Sequence, residues 1–368
     1  MTNYFRILFK TYTLFILFLL LTNGCNSDKN ENAPVSTWAG TVFPRMNDTQ
    51  KLGQSICLSV DPIRYFLLLD YREKVHNIIR KIEPGAVYFS SDMEYWNPKL
   101  VLEFNAGKLR EVIRSIQGFS QIPILFAADF ESGSWLWDKK ATRFPFPMAL
   151  GATGSPEMAY REGKITGLEA KVQGINWIFA PAGNIVKNSD PIAFSISCFG
   201  SNSNDVSQFS AKYIQGSQES GVAACLKYFP GPDRQMEETD TVSFAPFKAG
   251  VSAGVLSIMG NTFSLGGESE LALFPIKNYL MKQFGFKGIV VRKIAFDTNP
   301  DTPLSIQADI LVQSYIAGND MVILPDDIDK NSSLLDVLIT RTKIGRLDMS
   351  SINASALKIL KTKDILKL

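Results

Sequence analysis

Polar residues gather where the apolar runs of this 368-residue chain stop. "IPILFAADFESG" ends in Asp129 and Glu131, "AACLKYF" carries Lys227 and Tyr228, and "GIVVRKIAFD" passes through Arg292 and Lys293 to Asp297. Ser90-Ser91, Pro181, Asn261 and Asp326-Asp327 close four further runs. Carboxylates in such a set can bind sugar hydroxyls or neutralise the cations beside them, and the cations can hold an anion. Trp135, Trp137, Tyr228 and Phe229 lie near these ends. Aromatic faces beside carboxylates suit a sugar, whose C–H face stacks while its hydroxyls hydrogen-bond. The single histidine, His76, sits in "DYREKVHNIIRK", far from every one of these positions, and reads as surface or core filler. Cys57, Cys198 and Cys225 are widely spaced, so neither a metal cluster nor a disulfide framework is expected, and no cofactor. Buried free thiols are the preferred reading, with a Cys198–Cys225 pair as the alternative.

The elements that must position these residues follow from periodicity. Eight runs, at 55–60, 85–91, 122–129, 175–182, 223–229, 254–261, 288–294 and 321–327, are continuously apolar rather than alternating, as strands buried on both faces are. Helical patterns separate them, such as "SPEMAYREGKITGLEAKVQG", with Ser155 as N-cap and Gly174 closing it. Eight strands alternating with helices predict a parallel sheet, most economically a closed (β/α)8 TIM barrel of the α/β class. An open doubly wound sheet is the alternative, but no glycine-rich phosphate loop follows any strand. In such a barrel the chemistry sits at the C-terminal strand ends, where the polar residues above fall.

The N-terminus addresses compartment. "MTNYFRILFKTYTLFILFLLLTNGC" has two cations, an apolar run and then small or polar residues up to Cys25, a secretory layout. Leu21 to Cys25 resembles the lipobox of bacterial lipoproteins, in which the cysteine is lipidated; an uncleaved N-terminal anchor is the alternative. The expected organisation is a signal peptide over 1–24, a polar linker over 25–44 and one barrel over 45–368. Residues 1–24 hold two cations and no acid, so their removal leaves 36 basic against 36 acidic residues. A near-neutral chain without a basic run gives no reason to expect nucleic acid. An exported protein on a membrane tether in the cell envelope is the expectation.

Seven ordered blocks then carry a resemblance: "IPILFAADFESG", "TRFPFPMALGATG", "GINWIFAPAGNI", "LKYFPGPD", "APFKAGVSAGVLSIMGNTF", "FGFKGIVV" and "AGNDMVILPDD". Together they resemble the N-terminal barrel domain of glycoside hydrolase family 3, nearest the single-barrel β-N-acetylglucosaminidases that act on muropeptide sugars. The resemblance implies a TIM barrel without the family's second domain. It also implies a retaining mechanism, with an aspartate nucleophile at the end of strand seven and a separate proton donor. Lys293 stands at the nucleophile position. An ammonium cannot attack an electrophilic carbon while protonated, and it repels the oxocarbenium-like charge that develops there.

The family's other chemical positions differ as well. The block "K-H-F-P-G-H-G" is Lys227 to Asp233 here and lacks both histidines. Asp240 stands at the acid/base histidine of the acetylglucosaminidase branch. Ser197 replaces an expected arginine, and Trp135 and Trp137 displace another. Asp129, Glu131 and Lys227 are kept, and with Tyr228 they form the expected substrate-binding set.

The resulting expectation is a lipid-anchored, catalytically inactive family 3-like barrel. It would bind a glycan, a muropeptide fragment or a protein partner without turnover. The alternative is an active exo-β-N-acetylhexosaminidase with Asp240 as acid and Asp297 or Asp129 as nucleophile. A purely structural envelope protein, its pocket filled by its own tryptophans, is the third reading.

Overall fold

Each apolar run becomes a strand, and the strands close into one ring. The computed structural model describes residues 37–90, 104–135, 137–231, 241–264, 277–295 and 302–368. A short helix α1 (Trp38–Val42) and α2 (Asp48–Gln54) precede β1 (Ile56–Val60). Helices α3 (Pro62–Leu67) and α4 (Leu69–Ile82) lead to β2 (Ala86–Phe89), and α5 (Ala106–Gln117) to β3 (Leu125–Ala128). Then come α6 (Pro147–Gly151), α7 (Pro156–Gln173), β4 (Trp177–Ile178), α8 (Ile192–Ile196), α9 (Ser203–Glu219) and β5 (Ala223–Phe229). The second half adds α10 (Thr241–Ser252), β6 (Ser257–Ser264), a π-helical turn (Lys277–Gln283) and β7 (Ile289–Ala295). It ends with α11 (Leu304–Ile316), β8 (Met321–Leu324), α12 (Ile328–Lys343) and α13 (Met349–Leu366). All neighbouring strands pair in parallel, and β8 returns to β1 through Cys57 against Ile323.

Alternation sorts the strand side chains into two cores. Ala86, Tyr88, Leu125, Ala127, Ala223, Cys225, Ile289 and Val291 share the apolar interior of the barrel. Their sequence neighbours Val87, Phe126, Ala128 and Val322 face the helices and belong to the outer core. Both faces are therefore apolar, which is why the runs look continuous rather than alternating. Cys57, Cys198 and Cys225 are buried free thiols, and burial pushes the Cys225 thiol up to about 12.

Helix ends follow their local signals. Asn105 caps α5 by accepting from the Gly107 and Lys108 amides. Gly174 closes α7 in the left-handed conformation. Ser155 occupies the N-cap of α7, but its side chain makes no capping hydrogen bond, and Pro156 opens the helix without an amide to satisfy. Helices α7 and α9 approach so closely that a Cβ on Gly163 would lie 2.3 Å from the Tyr213 carbonyl oxygen, and one on Gly216 2.1 Å from that of Tyr160. This contact seals Glu162 inside, where it is 1% exposed.

Candidate functional site

The inward alternation of four strands continues past their apolar layers into a polar one. Residue 88 follows 86, 129 follows 125 and 127, 227 follows 223 and 225, and 293 follows 289 and 291. Period two thus carries Tyr88, Asp129, Lys227 and Lys293 to the C-terminal mouth of the barrel. Arg292, one residue out of phase, is 2% exposed on the side of the sheet facing the helices, and burial pushes its guanidinium down to about 10. The adjacent cations of "VVRKIA" thus part to opposite faces of β7.

Lys227 is the centre of the layer. Its side chain is 1% exposed, and Nζ lies 2.7 Å from Asp129 Oδ1 and 2.5 Å from Glu131 Oε1. Asp129 also accepts the Tyr88 hydroxyl at 2.5 Å, and Glu131 accepts the Ser197 hydroxyl at 2.7 Å. Burial alone would push the Asp129 carboxyl up, but the Lys227 ammonium and the hydrogen bonds from Lys227 and Tyr88 more than reverse this, so its pKa falls below the usual range. Burial would likewise push Lys227 down, yet Asp129 and Glu131 hold it well above its usual value. Lys227 is therefore locked in its charged form, and both carboxylates are committed to it.

Tyr228 enters the same site through an irregular register. Lys227 pairs with Met259 but Phe229 with Gly260, so the strand shifts between them. Asn184 grips the displaced segment, its side-chain amide donating to the Tyr228 carbonyl and its oxygen accepting the Tyr228 amide, both at 2.8 Å. Consecutive side chains, Lys227 and Tyr228, consequently both line the cleft.

The fourth member stands apart. The Lys293 ammonium lies 5.5 Å from the centroid of the Tyr88 ring, and the side chain is exposed. Among the described residues it forms no ion pair; its positive charge is nonetheless felt by Asp129. Asp326 is engaged elsewhere, accepting the Tyr71 hydroxyl at 2.6 Å with Arg64 at 3.7 Å. Asp327 caps α12 by accepting from the Lys330 amide. Both strand-end carboxylates thus bind residues of the surrounding helices. Asp240, Asp297 and Cys25 lie outside the described residues.

The loop after β3 builds one wall of the site. An open cleft of about 330 Å³ is lined by the charged and polar group Asp129, Glu131, Lys227 and Tyr228 together with the loop residues Trp135 and Phe146. The loop folds back on itself, with the Phe144 amide donating to the Ser132 carbonyl at 3.0 Å. Gly133 makes this fold feasible: its φ is +92°, and a Cβ there would lie 2.3 Å from the Thr142 carbonyl oxygen. Glu169 of α7 pins both ends, accepting the Thr142 hydroxyl at 2.7 Å, the Thr142 amide at 3.0 Å and the Ser134 hydroxyl at 3.0 Å. The two tryptophan readings divide between two residues. Trp137 is 2% exposed and packs edge-on against Phe104 at 5.9 Å, whereas Trp135 faces the cleft.

The fold and the sequence agree with one family. The N-terminal-domain model of glycosyl hydrolase family 3 matches residues 50–362. The chain belongs to glycosyl hydrolase family 3. Among its relatives, a β-N-acetylglucosaminidase/β-glucosidase of Cellulomonas fimi is 25% identical over 332 residues, covering 80% of this chain and 54% of that protein. The chain thus spans about half the length of that relative. A family 3 β-N-acetylglucosaminidase from Paenibacillus sp. superposes with a TM-score of 0.70 at 22% identity, over 88% of this chain and 63% of that one. A β-N-acetylhexosaminidase from Beutenbergia cavernae gives 0.68 at 20% identity, over 86% of this chain and 98% of that one. At these identities the structural likeness speaks for the family 3 fold.

Tyr88, Phe146 and Asn184 were missed by sequence reasoning. Tyr88 was within reach, because "GAVYF" ends a strand and the inward phase set by Ala86 includes it. Phe146 and Asn184 had no such signal, since each reaches the site through a loop whose path is set by tertiary contacts.

Proposed function

We propose that this family 3 chain is a glycan-binding protein of the cell envelope, tethered by lipidation of Cys25, that holds its sugar without hydrolysing it. The observation that carries the reading is the exposed Lys293 ammonium at the barrel mouth, over Tyr88 and within the electrostatic reach of Asp129. Retaining glycoside hydrolysis needs a free carboxylate beside the anomeric carbon. A cation occupies the position that the family resemblance assigns to that carboxylate. Asp129 and Glu131 are both bound to Lys227, so neither supports the role of a free nucleophile. The retained acids, the buried lysine and the aromatic wall still offer what a sugar ring needs: hydroxyl partners and an apolar surface.

The test is a panel of aryl β-glycosides, led by the N-acetylglucosaminide, run on the protein and on Lys293→Asp. Binding of chitobiose is followed in parallel by the rise in melting temperature, since a ligand that binds only the folded state stabilises it. The expected result is no aryl release and a melting shift with sugar. Turnover by the unaltered protein would sink the reading and turn attention to Asp240, Asp297 and Asp129 as relocated catalysts. Absence of any shift would remove the glycan and leave a protein partner.

A further inference from the structure

The outer wall of the cleft carries an electrostatic arrangement that sugar hydroxyls alone do not explain. Lys139 Nζ and the Arg143 guanidinium carbon both lie 4.5 Å from the ring centroid of Trp135, which lines the same cleft as Lys227. Both cations are exposed, and among the described residues neither forms an ion pair. The nearest acid in sequence, Asp138, accepts the Lys140 amide at 3.0 Å within its own turn. Attraction of each cation to the face of one indole brings the two like charges together. Partial desolvation of Lys139, and then the charge of Arg143, lowers the pKa of Lys139.

The placement is built rather than incidental. Lys139 lies between Ser134 and Thr142, the two residues that Glu169 pins, and Arg143 directly follows the second of them. Trp137, also between Ser134 and Thr142, anchors the turn in the core. The pair is therefore carried on a fixed loop beside the cleft, where an anion would relieve the repulsion and accept charge-assisted hydrogen bonds from both cations.

We infer that Lys139 and Arg143 form an anion-recognition subsite on Trp135, and that the glycan taken by the cleft carries a negatively charged substituent, a carboxylate or a sulfate ester. This rests on the reading of the cleft as a glycan site. The sugar body lies between Trp135 and the Asp129–Lys227–Glu131 cluster, and its anionic group reaches outward to the paired cations.

The experiment uses the full chain in a non-sugar detergent and isothermal titration with three matched probes. These are tetra-N-acetylchitotetraose, its 6-O-sulfated form and its form oxidised to the carboxylate at C6. At low salt an anionic probe should bind roughly ten-fold tighter than the neutral one. That advantage should shrink as ionic strength rises towards about 0.3 M. The double variant Lys139→Gln/Arg143→Gln should lose the advantage while keeping the affinity for the neutral probe. Whichever anion binds tighter names the substituent. Equal binding of neutral and anionic probes, or a preference that survives in the double variant, would overturn the subsite and leave the glycan site standing. Binding of none of the three would overturn both.

Discussion

Lys227 on β5 reaches across β4 to Asp129 at the end of β3, with 2.7 Å between Nζ and Oδ1, while its side chain is almost wholly excluded from solvent. An ammonium so placed is tolerated because two carboxylates and the barrel mouth surround it, and it cannot be removed without leaving those carboxylates unpaired. Lys227→Met is therefore expected to cost about 3–5 kcal/mol of stability, measured by urea unfolding at neutral pH. The protonation of Asp129 gives an independent check. In the unaltered protein its pKa lies below the ordinary carboxylate value, so its stabilising contribution is complete above about pH 4 and is lost as pH falls through the folded value. In Lys227→Met, burial remains without the attracting cation, and a carbon-detected NMR titration should find the Asp129 carboxyl moved upward. An unmoved titration would mean that Lys227 does not set the charge of Asp129.

The two tryptophans of "SGSWLWDKK" should separate by assay. Trp137 is core, and Trp137→Ala removes a buried indole, with an expected loss of about 3–5 kcal/mol. Trp135 faces the cleft, and Trp135→Ala should leave the unfolding midpoint nearly unchanged while weakening glycan binding at least about ten-fold, the scale of an aromatic wall lost. The reverse pattern would place the wrong tryptophan in the site.

Glu162 predicts a stabilising substitution. Among the described residues neither of its carboxyl oxygens has a hydrogen-bond partner, and burial between α7 and α9 pushes its pKa up to about 8. The folded protein therefore holds a proton that the unfolded chain releases near pH 4, so stability is lost as pH rises from about 4 to 8. Glu162→Met, similar in volume and apolar, should raise stability at pH 7 by about 2–4 kcal/mol, with the gain shrinking towards pH 4. A gain independent of pH would show that packing, not ionisation, was responsible.

His76 titrates in the opposite sense. Burial, then the charges of Arg80 and Arg72, push its imidazole down to about 4. The ring stacks on Phe119 at 3.9 Å, and its Nε2 contacts the Tyr65 hydroxyl. Below about pH 6.5 the unfolded chain takes up a proton that the folded state refuses, so stability falls as pH drops towards 4. Urea midpoints across this window should fall more steeply for the unaltered protein than for His76→Gln. Parallel slopes would assign the acid sensitivity to other groups. Of the two places expected for His76, surface or core, the structure gives the core, on the buried face of α4.

Much of this protein was legible before any coordinates. Continuous apolar runs between helices required strands covered on both faces, and eight of them in parallel left the closed barrel as the economical solution. Period two ties each strand end to the phase of its own strand. In runs apolar on both faces, however, only the closed barrel shows which phase is inward, and it puts Asp129, Lys227 and Lys293 in one layer. What counting could not decide was the third dimension of that layer. Lys227, Arg292 and Lys293 were all candidate partners for Asp129 and Glu131 in the sequence; the closed ring gives both carboxylates to Lys227, while Lys293 stands over Tyr88. The loop after β3 was equally undecided. A left-handed Gly133, a carboxylate on a helix more than twenty residues later, and one buried indole together fix Trp135, Lys139 and Arg143 at the cleft. Local sequence sets periodicity because each side chain's direction depends on its own backbone. Pairing of charges across the barrel depends on distances between segments remote in the chain, and only the closed ring of strands supplies those.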